Sequence, residues 1–249
     1  LVEHIVAEQD IPKGFNVVII DPKGSTELFS KVVQSAAESG RLEELMLLTP
    51  IYPDHSIRLN PLSHYYMLEE TVDHIISGIK AREDFFIAVA SEVSQAIVTG
   101  KSFMEERNGF KNLNVNFYDI KLLSDYMSLK KWRDNIQKQP MGTPELAELV
   151  NSIDQLLSST QEYFSKVTSS LRTTLSALSF GNTGKIIGKS NVNEFVKRFE
   201  EGKRVILYCN TGSMLARRTA HIIGRVLISM IQSMIGRFFA SGRKMNPPL

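Results

Sequence analysis

Apolar residues fall along this chain in two textures. Near both ends they form short unbroken runs: Val17-Val18-Ile19-Ile20, Leu45-Met46-Leu47-Leu48 and Val205-Ile206-Leu207-Tyr208. Runs of this length, rich in β-formers and closed by turn residues, mark strands buried on both faces. They predict strands at 16–20, within 44–49 and at 204–208. Between Leu68 and Ser179 the runs vanish, Gly and Pro become rare, and apolar residues recur every three or four positions. That period predicts helices over 68–80, 84–99, 119–138 and 144–178, the last with room for a break.

The segments around these runs complete the pattern. Ser25-Thr26 opens an amphipathic helix from about 26 to 39. Its stripe is Leu28, Phe29, Val32, Val33, Ala36 and Ala37, and Gly40 is its stop. Leu1, Val2, Ile5 and Val6 sit at helical spacing, and Ile11-Pro12-Lys13-Gly14 breaks the pattern, which reads as the end of a helix. Gly100 and Gly109, among Asn108, Asn112, Asn114 and Asn116, predict a polar connection. Thr143-Pro144-Glu145 reads as a helix start. A short helix is expected at 193–201, and Cys209 to Ser213 reads as a polar turn. A long helix then runs to about 240, with apolar pairs Ile222/Ile223, Val226/Leu227, Met230/Ile231, Met234/Ile235 and Phe238/Phe239. The sum is an α/β frame at 1–67 and 181–249 with an all-α domain, 68–180, inserted in it.

Composition changes this picture little. At 249 residues, with 43% hydrophobic and 22% charged residues, the chain has the make-up of ordinary globular proteins. A net charge of +2 gives no global argument for nucleic-acid binding. The single cysteine, Cys209, excludes an internal disulfide framework and suits a reducing compartment. The chain opens on Leu1 rather than Met, so a processed or cut polypeptide without a signal peptide at its start is expected. Arg225, Gln232 and Arg237 interrupt the apolar region from Ala220 to Ala240 and argue against a membrane span.

Several stretches carry candidate chemistry. A strand ending in Asp21-Pro22-Lys23-Gly24 before a helix places Asp21, Lys23, Gly24 and Ser25 where open α/β sheets bind ligands, beyond the strand's carboxyl end. Asp21 reads either as a ligand for a metal or nucleotide or as a turn-capping carboxylate. Gly181 to Ser190 superficially resembles a phosphate loop, but Thr183 stands where Gly188-Lys189-Ser190 would require the first Gly, and a helix rather than a strand precedes it. A flexible exit from the helical domain is the plainer reading. Lys130, Lys131 and Arg133 around Trp132 form a possible contact for DNA or a protein partner, set against Trp132 as a packing anchor. Arg217, Arg218, Arg225, Arg237, Arg243 and Lys244 read as phosphate clamps or as the polar face of the last helix. The adjacent pairs Glu43/Glu44, Glu69/Glu70, Glu105/Glu106 and Glu200/Glu201 read as solvated faces, because helical neighbours point about 100° apart. The histidines have no ligand spacing among themselves or with Cys209, so no metal site is expected.

In order along the chain, several of these stretches resemble the type IV coupling proteins of bacterial conjugation, the TraD/TraG group. Leu1 to Gly14, with Glu3, His4, Gln9-Asp10-Ile11 and Gly14, is similar to the helix after that family's Walker A loop. Val17 to Gly24 is similar to its strand ending in Asp-Pro-Lys-Gly, although Ser25 stands where an acid is common. Asn60-Pro61-Leu62 matches its Asn-Pro-Leu element. Ser176 to Gly188, Val205 to Ser213 and Gly236-Arg237 follow in the same order, and the helical middle corresponds to the family's all-alpha domain.

The resemblance implies a partial RecA-like P-loop NTPase core, an incomplete parallel sheet lying between Walker A and Walker B, plus a helical bundle. The parent would bind ATP and Mg. It would be a homo-hexamer on the cytoplasmic face of the bacterial inner membrane. It would recruit single-stranded DNA with its relaxase and relaxosome and pump the DNA into a type IV secretion channel. The chain by itself is expected to hold no cofactor and no catalytic residue, to be ATPase-inactive, and to be monomeric or weakly associating. In that setting Asp21, Lys23, Gly24 and Ser25 edge the nucleotide pocket, and Lys130, Lys131, Trp132 and Arg133 meet DNA or a partner. Two other readings stand beside it: another ring ATPase of conjugation or secretion, and a non-catalytic helical adaptor.

Overall fold

A computed structural model describes residues 5–81, 83–107, 113–138, 144–242, 244 and 246–249. Leu1 to His4, Asn108, Gly109, Asn112, Thr143 and Arg243, for which the sequence carries expectations, lie outside the described residues. The three apolar runs are strands: β1 (Val17–Asp21), β2 (Leu45–Leu48) and β3 (Ile206–Asn210). All are parallel, and β3 lies between the other two. β3 runs through Cys209 and Asn210, where the sequence predicts a turn, because they continue the ladder with Ile20 and Asp21.

Side chains alternate across this sheet as a two-residue period requires. Val17, Ile19, Ile206 and Tyr208 face a small core made with Val32 and Ala36 of helix α1 (Thr26–Glu38) and with Ile11. Ile11 closes a wide helical turn, Val6–Asp10, in which its N–H reaches back five residues to the Val6 carbonyl. Arg41 pins that corner. Its guanidinium donates to the Ile11 and Phe15 carbonyls (2.6 and 2.8 Å) and pairs with Glu44 (2.6 Å). Met46, Leu48, Val205, Leu207 and Cys209 face the other way, into a core continuous with the helices.

Those helices are α2 (Leu68–Ser77), α3 (Asp84–Arg107), α4 (Phe117–Leu123), α5 (Tyr126–Gln137), α6 (Pro144–Leu157), α7 (Gln161–Val167) and α8 (Ser169–Ser179). The frame resumes with α9 (Glu194–Glu200), then β3, then α10 (Ser213–Ala240). Three departures from periodicity have local causes. The run 119–138 is two helices, because Asp125 caps a new one by accepting from the N–H groups of Met127 and Ser128. The run 144–178 is three, with Thr160 capping α7. Gly100 does not end α3, which continues to Arg107. A side chain there would overlap the ring of Trp132, so the glycine is a slot for the indole.

By length and composition α10 could cross a membrane. Here Ile222, Ile223, Val226, Leu227, Met230 and Met234 are buried, and the helix packs against α2 and α8.

Candidate functional site

The carboxyl edge of the sheet gathers the first set of candidates. Asp21 ends β1 opposite Asn210, and Tyr208 projects from β3 on the same face. The Asp21 carboxylate is buried and accepts four hydrogen bonds. Oδ1 takes the N–H groups of Lys23 and Gly24 (both 2.9 Å). Oδ2 takes the Ser25 N–H and the Tyr208 hydroxyl (both 2.6 Å). Burial alone would raise its pKa. The Tyr208 hydroxyl and the three amides outweigh that and hold the group below the ordinary carboxylate range. Burial, and then the facing carboxylate, push the Tyr208 phenol up. Phe29 packs on the Tyr208 ring with centroids 4.9 Å apart.

This turn is closed rather than open. Ser25 Oγ accepts from the Leu28 N–H and caps α1. The Asp21 and Pro22 carbonyls accept from the N–H groups of Thr211 and Ser213, which ties the two strand ends together. Gly24 has φ +76°, and a Cβ there would lie 2.8 Å from the Asn210 amide, so no other residue fits without movement. The amides of Lys23, Gly24 and Ser25, the natural donors for a phosphate, all point at Asp21. Of the four pocket-edge candidates, Lys23 presents an exposed cation, while Asp21, Gly24 and Ser25 shape the turn that carries it.

Beside the turn, a cleft of about 600 Å³ opens between Pro50, Ile51, Thr211 and Leu215 on one side and Phe180 and Asn182 on the other. Its mouth is apolar: Phe180 is 81% exposed and Leu215 78%. The Gly181–Ser190 stretch that borders it is not a flexible exit. Gly184 to Gly188 form a second wide helical turn with Ile186 and Ile187 buried. Gly184 and Gly188 lie so close to the carbonyls of Ser179 and Leu178 that a Cβ at either would collide with backbone. The glycines serve this packing.

The Lys130–Arg133 cluster divides in three. Lys130 and Lys131 are exposed on α5. Trp132 turns inward, half-buried over Gly100. Arg133 makes a two-pronged pair with Asp154 of α6, Nε to Oδ1 at 2.7 Å and Nη2 to Oδ2 at 2.6 Å, which raises its pKa further. The cationic surface presented there is that of the two lysines.

Sequence reasoning missed a buried polar cluster joining α2 to α10. Glu70 does not belong to a solvated face. It accepts from the N–H groups of Tyr66 and Met67, from the Ser233 hydroxyl and from Arg237 (2.8 Å). Arg237 is buried and also donates to the His64 carbonyl (3.0 Å), so it is not a free phosphate clamp. His74 is buried beside them, with Nδ1 2.8 Å from the Ser229 hydroxyl. Burial, reinforced by the Arg237 charge and opposed by Glu70, pushes its pKa down to about 4. Glu44, likewise, is an ion-pair partner of Arg41 and Arg204 (2.6 and 2.8 Å). The i,i+4 steps from Glu70 to His74, from Ser229 to Ser233 and from Ser233 to Arg237 are visible in the sequence, but not that the two faces meet.

Asn60, in the Asn-Pro-Leu element, is a buried clasp. Its amide donates to the Val115 carbonyl (2.9 Å) and accepts the Leu62 N–H (3.0 Å). Its own carbonyl receives the Asn193 amide (3.0 Å). It joins the loop after β2 to the segments preceding α4 and α9.

No family model and no curated protein matches this chain. Among solved structures it is similar to one described as the bacterial conjugative coupling protein TrwBdeltaN70 in an unbound monoclinic form. The TM-score is 0.47 and the identity 11%, with 91% of this chain and 53% of that one covered. The chain therefore spans about half the length of that structure, and at this TM-score the likeness assigns no role.

Proposed function

We propose that this chain is the segment between the two nucleotide motifs of a conjugative coupling ATPase. Its sheet would form part of the motor core, and its helices the all-alpha domain that meets single-stranded DNA and its relaxase. One observation supports this above the others. A parallel strand closes on Asp21-Pro22-Lys23-Gly24, it is tied at its carboxyl end to a second strand closing on Cys209 to Ser213, and the helices of 68–179 lie between them in the chain. In this reading Lys23 edges the nucleotide pocket and Lys130 and Lys131 are the DNA-facing cations. The hexamer, the secretion channel, the inner-membrane location, ATP and Mg belong to the parent protein. The amides of Lys23, Gly24 and Ser25 are already taken by Asp21, so in this reading the phosphate cradle lies in the flanking motif and residues 1–249 alone are expected not to turn over ATP.

The gene on either side tests the reading. We expect a Gly-rich loop ending in Lys-Ser/Thr just before Leu1 and an apolar strand ending in Asp-Glu just after Leu249. Absence of both would leave the non-catalytic helical adaptor, and sustained ATP hydrolysis by purified 1–249 would overturn the assignment of catalysis to flanking residues. For the DNA contact, replacing Lys130 and Lys131 by Gln should weaken binding of an oligothymidine and flatten its salt dependence by roughly 0.7 in slope per lost phosphate contact. Unchanged affinity removes those two residues from the interface.

A further inference from the structure

A second basic site lies away from both candidates, where the C-terminal end of α2 meets α8 and α10. A cavity of about 380 Å³ there is lined by Lys80, Arg218, His221 and Arg225, with the hydroxyl residues Ser170 and Thr174 on the opposite wall. None of its lining residues is acidic. Arg218, His221 and Arg225 are spaced i, i+3, i+7 and so share one face of α10. Ile222, on the same face, forms the floor with Gly78, whose missing side chain lets α2 approach closely. A Cβ at Gly78 would lie 3.0 Å from Thr174 and 3.2 Å from Ile222.

The charges in this cleft are not used internally. Elsewhere the arginines that line core and corner are matched: Arg41 and Arg204 to Glu44, Arg133 to Asp154, Arg237 to Glu70. Among the described residues, none of the four basic side chains of the cleft forms an ion pair. The one hydrogen bond from them runs from Arg225 Nη1 to the Ile79 carbonyl at 3.4 Å. A concave site lined by one sign of charge concentrates its field on a counter-ion. Two guanidinium forks, an ammonium and two hydroxyls form a donor set for the tetrahedral oxygens of a phosphate group, which accepts from several directions at once. We propose that this cleft binds phosphate, either the terminal groups of a nucleotide or pyrophosphate, or a phosphodiester of a nucleic-acid backbone. The inference does not rest on the coupling-ATPase reading, since the cleft is built from residues of this chain alone.

Titration calorimetry of the whole chain with inorganic pyrophosphate at low salt tests it. The expected result is saturable one-to-one binding, weakened at least tenfold in Arg218→Gln/Arg225→Gln and, separately, weakened in Lys80→Gln. Both sets of side chains are exposed, so circular dichroism should be unchanged. Lys130→Gln/Lys131→Gln should bind pyrophosphate as the parent does. An oligothymidine that competes for the site identifies the phosphodiester source, and one that does not compete identifies the small phosphate. No saturable pyrophosphate binding, or equal affinity in the double arginine variant, overturns the proposal. Neither result bears on the flanking nucleotide motifs, so the two readings fail separately.

Discussion

At the scale of single residues, the chain relies on a few buried charged or titratable side chains. Asp21 is the clearest. Its four donors include three amides of the turn that follows it, so the side chain defines the loop conformation. Asn at this position cannot accept with both ends. We expect Asp21→Asn to lower stability by about 2 kcal/mol at neutral pH, measured by urea unfolding, since hydrogen bonds to a charged acceptor are the strong ones. The folded pKa is lowered, so this contribution is complete above the unfolded value near ~3.9 and disappears as pH falls through the folded value. The gap between parent and variant should therefore close in acid. His74 acts in a higher window. Its folded pKa of about 4 lies below the unfolded value near ~6.5, so the unfolded chain takes up the proton first. Stability should hold above pH ~6.5 and fall between there and pH 4, by up to about 1.4 kcal/mol per unit. His74→Gln should flatten that segment of the profile. A parent whose urea midpoint does not move across it would contradict the buried neutral imidazole.

At the scale of elements, the helices are joined by packing that crosses the chain. The Gly100 slot shows how. α3 runs straight through a residue that disfavours helix by ~1 kcal/mol relative to Ala, because the α5 indole occupies the space a methyl would fill. Gly100→Ala gains propensity and loses fit. Overpacking of this kind costs about 1–3 kcal/mol, so the net effect should be destabilising. Trp132 is the sole tryptophan, and its emission should shift to the red as the ring is displaced. A stabilised variant with unchanged emission would show that the ring does not sit over Gly100. The same element-level logic explains the broken helices: capping side chains at Asp125 and Thr160 end one apolar stripe and start another at a different angle.

At the scale of the whole molecule, the sheet and the inserted helices share one apolar core, in which Leu207 and Cys209 of β3 join residues from α2 to α10. A core with no break favours cooperative unfolding. Two native probes report its two ends. Trp132 emission follows the helices, and the reactivity of Cys209, whose thiol is fully buried and shifted up by that burial, follows the sheet. We expect both to change at one urea midpoint. Separated midpoints would divide the chain into a sheet unit and a helical unit. The smaller core under α1 stands on the opposite face of the sheet and shares β1 and β3 with the larger, so it is expected to be lost in the same step.

The sequence by itself determined the strands, most of the helices and the position of the turn at Asp21. Those depend on properties a residue shares with its near neighbours: unbroken β-forming runs, three-to-four spacing, Ser or Asp before a helix, Gly after one. Tertiary structure decided what each polar residue is for. Asp21 is completed by Tyr208 at a separation of 187 residues, and Glu70 by Arg237 at 167. Gly100 reads as a break until the ring that fills it is known, and Gly184 and Gly188 read as a loop until the backbone beneath them is seen. Lys80, Arg218 and Arg225 are unremarkable as a list and become a cleft only when α2, α8 and α10 converge. Periodicity states which face of an element is buried. It does not state which face it meets, and the function of a charged side chain depends on that partner.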